Sequence, residues 1–230
     1  MYRKTQTMTN AEVTSREAWS MSPRLRKLAL MAHVAFSVGW LGAVAAFLAL
    51  SIAGQTSKNA DVVRGAYLAM NVIGLAVIVP MSLVALVTGL IQGLGTRWGL
   101  FKYTWVTTKL VLTFLATLLL ILHQFTAVAA AAARISALPV GALPDAGFAA
   151  LRTQLVVDAS LAIAVLLVTT TLSIYKPWGL SAYGRRRQAS ATVSTGNNSQ
   201  TSNVKTALIV GLVLATIVTV HILKGGLHHH

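Results

Sequence analysis

The chain contains no cysteine, which excludes disulfide cross-links and thiolate metal sites. Carboxylates are scarce: Glu12, Glu17, Asp61, Asp145 and Asp158 are the only acidic residues among 230. Charged residues of both signs make up 10% of the chain, against about 25% in a soluble domain. That is too little to clothe a water-facing surface. Several catalytic patterns are missing as well. There is no P-loop, no dinucleotide fingerprint and no HExxH run, so phosphate cradling, nicotinamide binding and zincin chemistry lose their usual carriers. No serine lies in a G-x-S-x-G elbow, and soluble triad chemistry is left without support. These absences point away from an enzyme.

What the chain does contain is long apolar runs, at 28–53, 67–95, 106–134, 150–175 and 206–223. About 20 apolar helical residues cross a hydrocarbon core about 30 Å thick. Four runs exceed that length and the fifth is close to it. With 55% hydrophobic residues and a mean hydropathy of +0.69, the expected fold is all-α, a polytopic membrane bundle of five transmembrane helices. Its expected parts are a polar arm at 1–27, a four-helix bundle at 28–187, a flexible linker at 188–204, and a fifth helix with a histidine-containing tail at 205–230. The first run is longer than a signal-peptide core and reads as an uncleaved anchor.

Net charge is +14, but its placement argues for membrane topology and against nucleic acid. Fourteen of the 19 Lys and Arg fall in the N-terminal arm, the 96–109 connection and the 176–205 connection. Positively charged loops stay in the cytoplasm, which predicts an N-in, C-out arrangement in a bacterial plasma (inner) membrane. Anionic lipids at the cytoplasmic face are the expected partners of this charge. Trp98, Tyr103, Trp105, Trp178, Tyr183, Arg185, Arg186 and Arg187 are expected at the membrane–water interface, where aromatic and basic side chains anchor helix ends.

Finer features follow along the chain. Gly39, Gly42, Ala43, Ala45 and Ala46 would allow close helix approach. Pro80 should kink the second span, which also holds Asn71. Asp145, after Pro144, suits a helix N-cap. The segment Trp98-Gly99-Leu100-Phe101-Lys102-Tyr103 is echoed by Trp178-Gly179-Leu180-Ser181-Ala182-Tyr183. The echo reads either as two interfacial belts or as the trace of a duplicated helix pair.

Ionisable residues within membrane spans are costly and often functional. Four occur: His33, His123, Asp158 and His221. Counted from the nearest cytoplasmic lysine, His123, His221 and Asp158 lie about 21, 24 and 27 Å deep, within about one helical turn of each other. His33 lies only about 9 Å deep and cannot join them. The co-levelled trio is the candidate site. It would suit haem b held axially by two histidines, or a divalent or copper ion with Asp158 as third ligand. Asp158 could instead orient a histidine ligand. His228, His229 and His230 emerge on the same side; they read equally as a metal-donating tail or as residual purification tag. The competing reading for all these residues is structural, as polar contacts within the bundle, and for His33 a packed contact near Ser37 and Trp40.

The stretches TGLIQGLGTRWGLFKYTWVTTKLVLTFLATLLLILH (88–123), YKPWGLSAYGRRR (175–187) and HILKGGLHHH (221–230) resemble a family of bacterial integral membrane proteins carrying a domain of unknown function. Through His33 and Trp40-Leu41-Gly42 the chain is also similar to the membrane part of copper-resistance D-type proteins. These resemblances imply a multi-helix fold in the bacterial inner membrane and carry over no activity and no ligand assignment. The expected function is a non-enzymatic inner-membrane protein that binds a metal ion or haem toward the outer leaflet. A small transporter or channel, and a scaffold subunit with an oligomeric or membrane-complex partner, are the alternatives.

Overall fold

The computed structural model describes residues 21–95, 100–176 and 178–191. Among the described residues the fold is all-helical, and four helices are long and apolar enough to cross a membrane. They are α1 (Pro23–Thr56), α2 (Ala60–Gly95), α3 (Thr104–Ala137) and α4 (Ala146–Tyr175). A short fifth element, α5 (Ala182–Ala191), follows α4. The expected span at 206–223 lies outside the described residues, as do most of the linker and the N-terminal arm; 188–191 of the expected linker are helical.

Local chemistry sets the helix ends. Ser22 caps α1 by accepting from the Leu25 amide at 3.4 Å, with Pro23 in the first turn, where its missing N–H costs nothing. Asn59 caps α2 by accepting from the amides of Asp61 (2.9 Å) and Val62 (3.4 Å). That cap starts α2 seven residues before the apolar run begins, because the first turns carry Asp61 and Arg64. The Arg64 guanidinium then donates to the Leu138 and Ser136 carbonyls at 3.0 and 3.3 Å, satisfying the exposed end of α3. Asp145 occupies the N-cap position before α4 without forming a side-chain capping bond. Lys176, at φ 44°, turns left-handed and ends α4.

Two spans are interrupted by π-helical turns, at Gly74–Ile78 in α2 and Gln124–Val128 in α3. The Val79 amide bonds the Gly74 carbonyl five residues back. Pro80 follows directly. Its ring would clash with the Ala76 carbonyl in an α-helical ladder and it offers no N–H, so the widened turn takes up the mismatch that a kink was expected to absorb. The two π turns pack together. Gln124 donates to Asn71 Oδ1 at 3.1 Å, and a Cβ at position 74 would lie 1.9 Å from Gln124 Oε1. Glycine is what allows this close approach.

Helix α1 packs on α2 and α4, and α3 packs on α2 and α4, closing a four-helix ring. Outward leucines, valines and phenylalanines such as Leu30, Val38, Val72, Leu94 and Phe125 are exposed, as expected for surfaces that face lipid. The densest core joins Trp40, Phe47, Tyr67, Met70, Ile135, Phe148 and Leu155, in the half of the bundle away from the basic end.

At the basic end the two echo segments meet each other. Tyr103 and Leu180 form an antiparallel bridge. The Ser181 amide donates to the Lys102 carbonyl at 2.9 Å, and the Thr104 amide to the Gly179 carbonyl at 3.4 Å. The Ser181 hydroxyl also donates to the Phe101 carbonyl. The connection before α3 is thus stitched to the segment after α4.

Candidate functional site

Two of the three co-levelled residues meet. His123, on the last turn of α3 before its π segment, places Nδ1 3.2 Å from Asp158 Oδ2 on α4. Both side chains are largely withdrawn from the surface, at 15% and 17% exposure. Asp158 therefore pairs with His123, while Arg152 lies elsewhere, 5.7 Å from the Phe148 ring. His221, the third member, and the tail histidines His228, His229 and His230 lie outside the described residues. Among the described residues no group of three or more His, Asp or Glu side chains gathers. The pair alone supplies two ligands, fewer than the three or four that a zinc-type site uses.

The pair borders a cavity of about 190 Å³ in the bundle interior. All four spans contribute: Trp40, Val44 and Phe47 from α1, Ile78 from α2, residues 112–128 of α3 and 158–166 of α4. The walls are leucine, alanine and valine, and polarity enters at one level through His123, Gln124, Asp158 and Trp40. Trp40 is 3% exposed, and among the described residues its buried indole Nε1 has no hydrogen-bond partner. Leu118, on α3, lines the cavity and is also 44% exposed on the outer surface.

His33 forms a separate cluster toward the basic end. Its Nδ1 lies 3.0 Å from the Ala85 carbonyl and 3.1 Å from Thr88 Oγ1. The carbonyl can only accept, so Nδ1 carries the proton and Nε2 presents its lone pair. Lys109 Nζ approaches that nitrogen at 3.5 Å. Nearby, the Gln92 side chain donates to the Ala29 carbonyl at 3.0 Å. His33 is thus a link among α1, α2 and α3, separate from the His123 level.

The interfacial residues fall where the basic end would meet headgroups. Tyr183, Arg185 and Arg186 are exposed, and Tyr103, Trp105 and Trp178 are half-buried. Arg185 donates to the Leu180 carbonyl at 2.8 Å, and Arg187 lies in the same helix. Trp98 lies outside the described residues.

Sequence reasoning missed three participants. Gln124 was signalled by its polarity inside an apolar run, directly after His123. Trp40 was signalled by its mid-span depth, far from either interfacial belt. Lys109, five residues into α3, was counted with the cytoplasmic charges and proved to be the contact of His33. No family model matches this chain, and no match was found among curated proteins or solved structures.

Proposed function

We propose that this is a non-enzymatic, multi-pass protein of the bacterial inner membrane, with its basic end in the cytoplasm, that binds a small lipophilic molecule within the bundle. The observation that carries the reading is the 190 Å³ cavity with apolar walls and a single polar level. Binding sites characteristically combine apolar lining with a few convergent polar groups. A buried ion pair beside an apolar void is expensive as pure architecture, since hydrophobic replacements of such pairs are often as stable. A ligand that uses the pair gives it a purpose. A haem or metal ion at the same level would need a ligand from outside the described residues, such as His221.

The test is thermal melting of the full chain in nanodiscs with and without toluene. A ligand at 100 times its Kd stabilises by about 2.7 kcal/mol. Toluene should raise Tm, and Ala162→Phe, which fills the cavity from α4, should abolish the rise. An unchanged Tm for the parent protein counts against the reading, and a Soret band in the purified protein would replace it with haem binding.

Transport is a second reading, favoured by one specific observation. Lys109, Thr113, Thr117 and Gln124 recur along one face of α3 at nearly whole-turn intervals, and Thr117 Oγ1 is buried without a partner among the described residues. That stripe runs from the His33–Lys109 cluster toward the His123–Asp158 level. Proton or ion flux into liposomes that falls on Asp158→Asn would support it; flux indifferent to that change would not.

A further inference from the structure

We infer that the ligand of this cavity is a neutral, single-ring carbonyl compound of the quinone type, drawn from the bilayer; this rests on the reading of the cavity as a lipophilic ligand site.

Size limits the ligand first. An apolar engineered cavity of about 150 Å³ holds one benzene ring. The present cavity, at about 190 Å³, exceeds it by little more than the volume share of one water molecule, about 30 Å³. The room fits one six-membered ring with small substituents.

Charge limits it next. An imidazolium–carboxylate pair of His123 and Asp158, with Nδ1 and Oδ2 3.2 Å apart, carries no net charge that a ligand ion would have to offset. A charged ligand would bring an unpaired ion into an apolar interior, which is strongly unfavourable. The ligand is therefore neutral.

Hydrogen bonding supplies the carbonyl. Trp40 is 3% exposed, lines the cavity and holds an indole N–H with no acceptor among the described residues. Indole nitrogen donates and never accepts. A ligand oxygen that accepts from it satisfies a buried donor that the described residues leave open. A quinone ring offers two such carbonyl oxygens and no donor of its own. Leu118, on α3, lines the cavity and is also 44% exposed on the outer surface, which puts lipid one side chain away from the ring.

The experiment is calorimetric titration of the full chain in nanodiscs with 2-methyl-1,4-benzoquinone and with 1,2,4-trimethylbenzene, in which methyl groups replace both carbonyls at nearly the same shape. The chain has no cysteine, so thiol addition to the quinone does not intrude. The quinone should bind about tenfold more tightly than the hydrocarbon, as one well-made buried hydrogen bond allows. Trp40→Phe keeps a ring and removes the N–H. It should lower the ratio of quinone to hydrocarbon affinity by about that factor, and hydrocarbon binding that persists shows that the variant is folded. Equal binding of both compounds, with Trp40→Phe without effect, would overturn the quinone assignment while the lipophilic cavity stands. Binding of neither compound would overturn the assignment and the cavity reading together.

Discussion

Two histidines of this bundle make polar contacts across helices, and they are solved differently. His123 meets an acid, Asp158, at 3.2 Å. His33 meets a base, Lys109, at 3.5 Å, and holds its other nitrogen against the Ala85 carbonyl. Lys109 and His123 lie on the same helix, 14 residues and almost four turns apart, about 21 Å along α3. The site deep in the bundle is charge-compensated, sits beside a cavity and is shaped by a π turn. Among the described residues the site nearer the basic end has a cation and no acid, and it sits close to the expected headgroup level. Burial in lipid penalises an uncompensated charge. The pairing chemistry thus changes with depth as the cost of a lone charge does.

Removing Asp158 should have the largest effect. Asp158→Ala leaves a withdrawn imidazole without its counter-ion and widens the cavity. Breaking one partner of such a pair costs about 3–5 kcal/mol. The double variant His123→Leu/Asp158→Leu should recover most of this, because hydrophobic replacement of a buried pair is often neutral. Reversible unfolding in mixed micelles measures both. A double variant as unstable as the single one would show that the pair supports the bundle by something other than mutual compensation.

Two glycines sharpen the same comparison. At Gly74 a Cβ would stand 1.9 Å from Gln124 Oε1 and 2.6 Å from its Cδ. Gly74→Ala should push Gln124 off Asn71 and cost about 2–3 kcal/mol, from overpacking and a lost hydrogen bond. It should also loosen toluene binding, since Gln124 lines the cavity. At Gly89 a Cβ would meet only the His33 ring, with Cε1 at 3.2 Å and Nδ1 at 3.6 Å. An imidazole can yield by tenths of an ångström, and alanine favours the helix by about 1 kcal/mol. Gly89→Ala should therefore change stability by less than about 1 kcal/mol. Equal losses at the two positions would mean that the His33 site is as rigidly packed as the cavity.

Much of this was legible in the sequence and some was not, for physical reasons. The four described spans follow from apolar length alone, because lipid leaves helices few alternatives. The shared level of His123 and Asp158 follows from depth, since helical rise converts residue counts into height; their contact does not. Azimuth does not follow from a count. It decides that Trp40 enters the cavity and that Lys109 faces His33. The start of α2 was placed at 67 because Asp61 and Arg64 hide the helix from a hydropathy reading; the Asn59 cap at 2.9 Å reveals it. The π turns have no composition signature beyond Pro80 for the first. The WGLxxY echo was visible, but its two copies were read side by side as belts or repeats. Their pairing through the Ser181 amide and the Lys102 carbonyl depends on how α4 returns beside α3.

The smallest expected effect tests whether the basic-end site contributes to stability at all. Lys109→Met keeps an unbranched chain of similar length and removes the ammonium. The contact it breaks is a long one, at 3.5 Å to a neutral nitrogen, and carries no charge pairing. Exposed ion pairs themselves contribute only about 0.2–1 kcal/mol, so the loss here should be below about 0.5 kcal/mol. Relief from holding a cation against apolar neighbours would bring the change to zero or to a slight gain. His33 keeps its bonds to Ala85 and Thr88 in either case, so the α1–α2 packing has no reason to shift. Unfolding of Lys109→Met beside Asp158→Ala then gives the contrast directly: one polar contact whose removal unfolds the bundle readily, and one whose removal is barely felt. If Lys109→Met costs as much as Asp158→Ala, the lysine is compensated by a group outside the described residues, and depth ceases to explain the difference between the two sites.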